Sequence, residues 1–337
     1  MPGQKRILSL TALLAVGTLT ISCSSHRTTT TPGASTHITT ASLVAIQSPT
    51  ASTTRTASET ATPAPTNTPA DPPTETPPPT LTPTPTETLI PTADTRLLPD
   101  LWSAWTVLPT VSGSLKPIYL RGKELGNDPN MFTRIGDCQS LPEVFLGIYD
   151  TDRYWLGEDY KYLQGTIDHF AGAFSTPNVT VKDGYGVNSV FSPLMADPEW
   201  CESNETPLAC EYRLHKPSVA FISMGTNWAP GGSGKFEEYL RQIVDFCFEH
   251  GIIPVLMTKA DNIEQDNLLN KAIARVAYDY DIPMINVWAA LQYMPNHGLQ
   301  QDGIYLTPDA WDERTFDALI TLDRIRAQMQ QWDAETP

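Results

Sequence analysis

Phe132-Thr-Arg-Ile-Gly-Asp-Cys138-Gln-Ser140 passes from an apolar run into small and acidic residues within a few positions, the pattern of a strand that ends in a tight turn ahead of a helix. A side chain placed directly after Gly-Asp in such a turn stands at the carboxyl end of a parallel strand and at the positive end of the following helix. An anionic nucleophile or oxyanion is stabilised there. Cys138 occupies that place. The competing reading is a structural cysteine behind the strand, since cysteine commonly serves as a small core residue.

Outward from this stretch, apolar runs alternate with helix-like periods. Strands are expected over Met131–Gly136, Val179–Lys182, Ser218–Met224, Ile252–Thr258 and Pro283–Trp288, and helices around Tyr160–Ala171, Lys235–His250, Glu264–Asp279 and Pro308–Gln331. Thr307 is placed to cap the last helix and Pro308 suits its first position. Strands apolar on both faces, alternating with helices, predict an α/β fold with an open parallel sheet and helices on each side. Ligands bind such sheets where loops leave the carboxyl ends of the strands.

Those loops carry the informative residues. The first strand leads into Gly136-Asp137-Cys138, and the second into Lys182-Asp183-Gly184-Tyr185-Gly186, where a glycine allows a backbone N–H to approach a bound group. Met224-Gly-Thr-Asn227-Trp228 follows the third strand, and the Asn227 amide can donate to a developing oxyanion. Gln301-Asp302-Gly-Ile-Tyr305-Leu-Thr307 stands just before the final helix.

In this order and spacing the segments resemble the SGNH (GDSL-type) hydrolases over about Met131 to Gln331. The resemblance implies a flavodoxin-like three-layer α/β/α sandwich and, in active members, hydrolysis of acyl or acetyl esters without a cofactor. By position it puts Cys138 on the nucleophile, with Cys138, Gly184 and Asn227 forming the oxyanion hole and Gly186 as the alternative to Gly184. Asp302 falls on the acid that orients the base, and Tyr305 falls where the family has histidine. A cysteine can replace the serine, because thiolate is a good nucleophile. With an ordinary pKa of ~10, Tyr305 is a poor general base near neutrality. His297, shortly upstream on the same loop, is the candidate substitute, against a role in fixing its loop by hydrogen bonds. His169 and His215 are weaker candidates.

Lys259-Ala-Asp261-Asn262, after the fourth strand, reads either as a rim binding a hydroxyl-rich ligand or as a capped turn. Trp228 reads as a stacking surface for a sugar or acyl group or as a cover for the core edge. An inactive member that binds a carbohydrate, acyl ligand or surface protein is the alternative to an enzyme.

The rest of the chain places this domain. Lys5 and Arg6 precede the apolar run Ile7–Ile21 and then Cys23, which reads as an export signal over residues 1–22. Thr20-Ile-Ser-Cys23 resembles a lipobox, which makes Cys23 a lipidated residue that anchors an exported protein to the membrane surface. A cleaved signal and an uncleaved anchor are the alternatives. Residues 23–95 are rich in Thr, Pro, Ser and Ala and cannot bury a core, so they read as a stalk or spacer, open to O-glycosylation. Residues 96–337 are long enough for one substantial domain. The net charge of −16 argues against nucleic acid as a partner. The expected partner is a small-molecule or polysaccharide ester, and the expected state is a monomer. Cys201 and Cys210 bracket a polar turn-forming segment and predict a disulfide in an oxidising compartment. Cys247 falls on the apolar face Phe236, Leu240, Ile243, Val244 and reads as core. No histidine or cysteine cluster has metal-ligand spacing.

Overall fold

The computed structural model describes residues 94–227 and 232–336. The expected signal segment, Cys23 and Trp228 lie outside the described residues, as does the Thr/Pro-rich stretch up to residue 93. In chain order the elements are α1 (Lys116–Glu124), β1 (Asp128–Gly136), α2 (Gln164–His169), α3 (Pro207–His215), β2 (Pro217–Ser223), α4 (Gly232–Glu249), β3 (Ile253–Met257), α5 (Leu268–Tyr280), β4 (Met284–Ile285), α6 (Val287–Leu291) and α7 (Pro308–Glu335). Every strand pairing is parallel, in the order β1-β2-β3-β4.

The expected strand at Val179–Lys182 shrinks to a single parallel bridge between Val181 and Gly136. Gly136 spends both backbone groups on it, donating to the Thr180 carbonyl and accepting from Lys182 N. The segment therefore flanks β1 on the side away from β2, and the spatial order with it included is 2-1-3-4-5 in sequence terms, that of a flavodoxin-like doubly wound sheet. Val219–Ile222 and all of β3 are buried, as a sheet covered on both faces requires. α4 and α5 pack on each other and on β3, while α7 packs with α1, α2, α6 and β4. The result is a three-layer α/β/α sandwich. Phe132, fully buried on β1, meets Phe170, Phe174 and Phe221 edge to face at centroid distances of 5.8, 5.2 and 5.8 Å. Such pairs each contribute ~1 kcal/mol beyond the area they bury.

Three further expectations change. Only Met284–Ile285 of Pro283–Trp288 is strand, because the Asn286 side chain accepts from Ala289 N and starts α6 at once. The helix around Tyr160–Ala171 is reduced to a 3-10 turn and the six residues of α2. No α-helix follows Cys138. Residues 138–140 form one 3-10 turn, and the chain then runs through turns to a second at Gly147–Asp150. Pro142 and Gly147 punctuate this stretch, and Leu146 adopts a left-handed φ of 70°.

A chain without a helix must find other partners for its carbonyls. Two buried arginines supply them. Arg134 on β1 donates to the carbonyls of Phe145 (3.2 Å), Phe174 (3.1 Å) and Thr176, and through Nε to Asn178 (2.8 Å). Arg314 on α7 donates to the carbonyls of Gln139 and Val144. Behind Arg134, Glu211 accepts from Thr133, Asn178 and Val179 N, and pairs with His215 Nδ1 at 2.8 Å.

Candidate functional site

The carboxyl ends of β1, β2 and β3 converge on the turn that carries Cys138. Asp137 N-caps that turn, accepting from Gln139 N at 3.0 Å, and the Thr226 side chain and backbone also donate to it. Asp137 is buried, and desolvation raises its pKa against the opposing pull of these bonds and of Arg314. Thr226 thus ties the loop bearing Asn227 directly to the turn bearing Cys138. On the opposite flank Leu306 N donates to Gln139 Oε1 at 3.2 Å, which brings the segment just before α7 against the same turn.

Cys138 is a buried thiol, 3% exposed. With no α-helix behind it, the helix-dipole contribution expected at this position is lost, since one 3-10 turn aligns too few peptide units. The positive group on hand is Arg314, whose guanidinium is buried, stacks 4.6 Å over the Phe145 ring and feels the charges of Asp137 and Cys138. Desolvation lowers its pKa to about 10. Its Nε has no hydrogen-bond partner, and it lines a cavity of about 20 Å³ with Gln139, Thr226 and Thr258. A second, more open pocket of about 240 Å³ is lined by Gly225, Thr226, Lys259 and Ile263.

Of the expected oxyanion glycines, the structure brings Gly186 and not Gly184 to Asn227. A Cβ on Gly186 would stand 2.9 Å from the Asn227 carbonyl oxygen, whereas one on Gly184 would meet nothing within 4 Å. The exposed Gly184 serves its turn through a left-handed φ of 81°. The Gly186 N–H donates to Ser189 Oγ at 3.0 Å. Asn227 is half-buried at the end of the loop after β2.

The expected acid and base are arranged differently from the pattern that the resemblance implies. Asp302 is exposed, and its Oδ1 accepts from Ile304 N and Tyr305 N at 2.9 and 3.1 Å, closing its own turn. Tyr305 sits half-buried in the small hairpin formed by the Leu299–Leu306 bridge. His297 is exposed, with a left-handed φ of 52°, and its Nδ1 faces the Gln292 carbonyl at 3.4 Å. This contact has the loop-fixing geometry. His169 Nε2 meets the Pro129 carbonyl and His215 meets Glu211, so neither faces the turn.

Lys259-Ala-Asp261-Asn262 takes the capped-turn form. Lys259 Nζ is buried between Asp261 (2.8 Å) and Glu264 (2.7 Å), and the Asn262 side chain accepts from Asn267 N. Burial raises the Asp261 pKa despite Lys259. The Cys201–Cys210 disulfide forms as expected, with Cα atoms 5.3 Å apart. A Glu205 carboxylate oxygen lies within 4.8 Å of both sulfurs, which the bridge already occupies. Cys247 is core, its thiol pushed up to about 12 by burial.

Arg314 and Thr226 are the site residues that sequence reasoning passed over. A signal for Arg314 exists: it interrupts the stripe Ala310, Ala318, Leu322, Ile325, Met329 and Trp332, all buried, at helical spacing. A charged residue on a core stripe needs a partner.

No family model matches the chain, and no curated protein matches it. Solved structures similar to it include a lipase/acylhydrolase from Enterococcus faecalis (16% identity, 59% of this chain and 96% of that one, TM-score 0.37). A psychrotrophic esterase from a Pseudoalteromonas species shares 12% identity over 58% of this chain and 98% of that one, TM-score 0.39. A GDSL-like lipase from Bacteroides thetaiotaomicron shares 14% over 63% and 99%, TM-score 0.37. Likeness of this degree carries no residue roles from those proteins to this chain.

Proposed function

We propose that this chain is an exported SGNH-type ester hydrolase, anchored through a lipid at Cys23, that cleaves acyl or acetyl esters of carbohydrate, lipid or wall material with Cys138 as nucleophile. The observation that carries this reading is the convergence at the carboxyl ends of the strands. Asp137 and Cys138 on one turn, Thr226 and Asn227 on the next loop, and the buried Arg314 all meet where a doubly wound sheet binds its ligand.

In the proposed reaction the Cys138 thiolate attacks the ester carbonyl. The carbon–oxygen bond breaks, the alkoxide leaves with a proton from water, and a thioester forms on Cys138. Water then hydrolyses the thioester, releasing the acid and restoring the thiolate. The side chains of Asn227 and Arg314 are the candidates for stabilising the charge on the carbonyl oxygen, since the Gly186 N–H is taken by Ser189. Without imidazole, departure of a poor leaving group is slow, so activated esters and thioesters are the favoured substrates.

The test is to trap the intermediate. Brief exposure to an activated acetyl ester, followed by acid quench and peptide mass analysis, should place one acetyl group on the Cys138 peptide. Acetylation of lysines alone, with the Cys138 peptide unmodified, would remove the nucleophile assignment. A second reading, a module that binds such ligands without turnover, is favoured by one observation: His297 is exposed and faces the Gln292 carbonyl. Ligand binding by a protein that never acylates would support it.

A further inference from the structure

Among the described residues no α-helix starts at the Cys138 turn, and His169, His215, His250 and His297 each bond a carbonyl or carboxylate elsewhere, so another group is needed to supply positive charge if the thiol is to ionise. The groups that meet this end of the sheet come from four directions. Asp137 lies in the turn itself, Arg314 comes from α7, and Lys259 comes from the loop after β3 with its partners Asp261 and Glu264. Tyr305 comes from the hairpin before α7. Asp137 is a carboxylate and opposes a second negative charge beside it. Lys259 is held at 2.7–2.8 Å by its two carboxylates, which neutralise it locally. Tyr305 is neutral or anionic.

Arg314 differs in kind. No carboxylate lies within 4.0 Å of its guanidinium among the described residues. Its Nη2 is spent on two carbonyls, one of them Gln139, the residue next to Cys138. Its Nε–H is buried with no partner among the described residues, and the side chain lines the small cavity at the strand ends. The Phe145 ring fixes the plane of the group. A guanidinium fork held in this way keeps its charge and adds directional donors, where lysine offers only a point charge.

We propose that Arg314 is the positioning residue of the Cys138 turn, holding its backbone and supplying the positive charge that allows Cys138 to exist as a thiolate without a histidine. This rests on the proposed role of Cys138, yet its test reads the thiol and not ester turnover. The full chain is alkylated with iodoacetamide over a range of pH, and the rate is followed on the Cys138 peptide by mass spectrometry, which separates it from Cys247. In Arg314→Met the midpoint of the rate profile moves up by about 1 to 3 pH units. In Arg314→Lys most of that displacement is recovered. Arg314→Gln, which keeps an amide donor for the Gln139 carbonyl, is the neutral variant to use if the methionine variant does not fold.

Equal midpoints in wild type and a folded neutral variant would overturn the proposal. So would a lysine variant displaced as far as the neutral ones, because the effect would then be structural and not one of charge. A midpoint that moves as expected in a protein that hydrolyses no ester would keep the role of Arg314 and remove the hydrolase reading instead.

Discussion

Gly136→Ala tests the packing that holds the candidate nucleophile. Gly136 is the last residue of β1, two positions before Cys138, and a Cβ placed there would stand 2.0 Å from Ser140 Oγ, 2.5 Å from Ser140 Cβ and 2.9 Å from the Ser223 carbonyl oxygen. The first two contacts belong to a side chain in the Cys138 turn, so the turn must shift. Overpacking of this kind costs ~1–3 kcal/mol, partly offset by ~0.5 kcal/mol from the lower chain entropy of alanine in the unfolded state. A net loss of about 1.5 kcal/mol lowers the melting temperature by about 3–6 °C for a domain of this size. Ser140→Gly in the same chain removes both Ser140 contacts. Alone it costs ~0.5–1 kcal/mol in chain entropy, offset by loss of a buried hydroxyl that has no hydrogen-bond partner. The double variant should therefore recover more than half of the loss, a coupling of ~1 kcal/mol or more. Chemical denaturation of the four proteins in the cycle measures it. Gly136→Ala within about 0.5 kcal/mol of wild type, or a coupling near zero, would refute the reasoning.

Other perturbations probe separate parts of the structure. Asp137 has a raised pKa in the folded state, so the native protein holds its proton to higher pH than the unfolded chain, and stability falls as pH rises from about 4 upward. Asp137→Asn should gain on wild type over that range and lose its advantage below about pH 4; a difference independent of pH would contradict this. Lys259→Met leaves Asp261 and Glu264 buried without their cation and should cost about 3–5 kcal/mol in a denaturation experiment; a neutral effect would contradict a buried ion-pair cluster there. Reducing the disulfide, or changing Cys201 and Cys210 to Ser, opens a loop with a sequence separation of 9 and should cost roughly 3 kcal/mol.

The sheet was legible because parallel strands buried on both faces announce themselves as apolar runs, and β1, β2 and β3 lie within two or three residues of where those runs fall. The weak strand at Val181 and the short β4 were overestimated for a local reason. Thr180 spends its hydroxyl on the Arg134 carbonyl, and Asn286 caps a helix, and neither event shows in hydrophobicity. The missing helix after Cys138 is a tertiary effect. Pro142 and Gly147 weaken the local preference, but the chain stays non-helical because Arg134 and Arg314, distant from each other in sequence, take up its carbonyls. For the site, position in the chain pointed to the loops that carry Cys138 and Asn227; of the two glycines it offered, Gly186 and not Gly184 approaches Asn227, and Asp302 accepts from the backbone of its own turn. Arg314 was hidden because helical periodicity assigns arginine to solvent unless the stripe it interrupts is examined.

The proposed function requires that Cys138 turn over esters. Steady-state hydrolysis of a short activated acyl ester by the wild-type protein, beside Cys138→Ala and beside buffer, tests it most directly. The expected result is a wild-type rate well above buffer that disappears in the variant and falls steeply as the leaving group becomes more basic. A variant as active as wild type, or a wild-type rate equal to buffer, would contradict it.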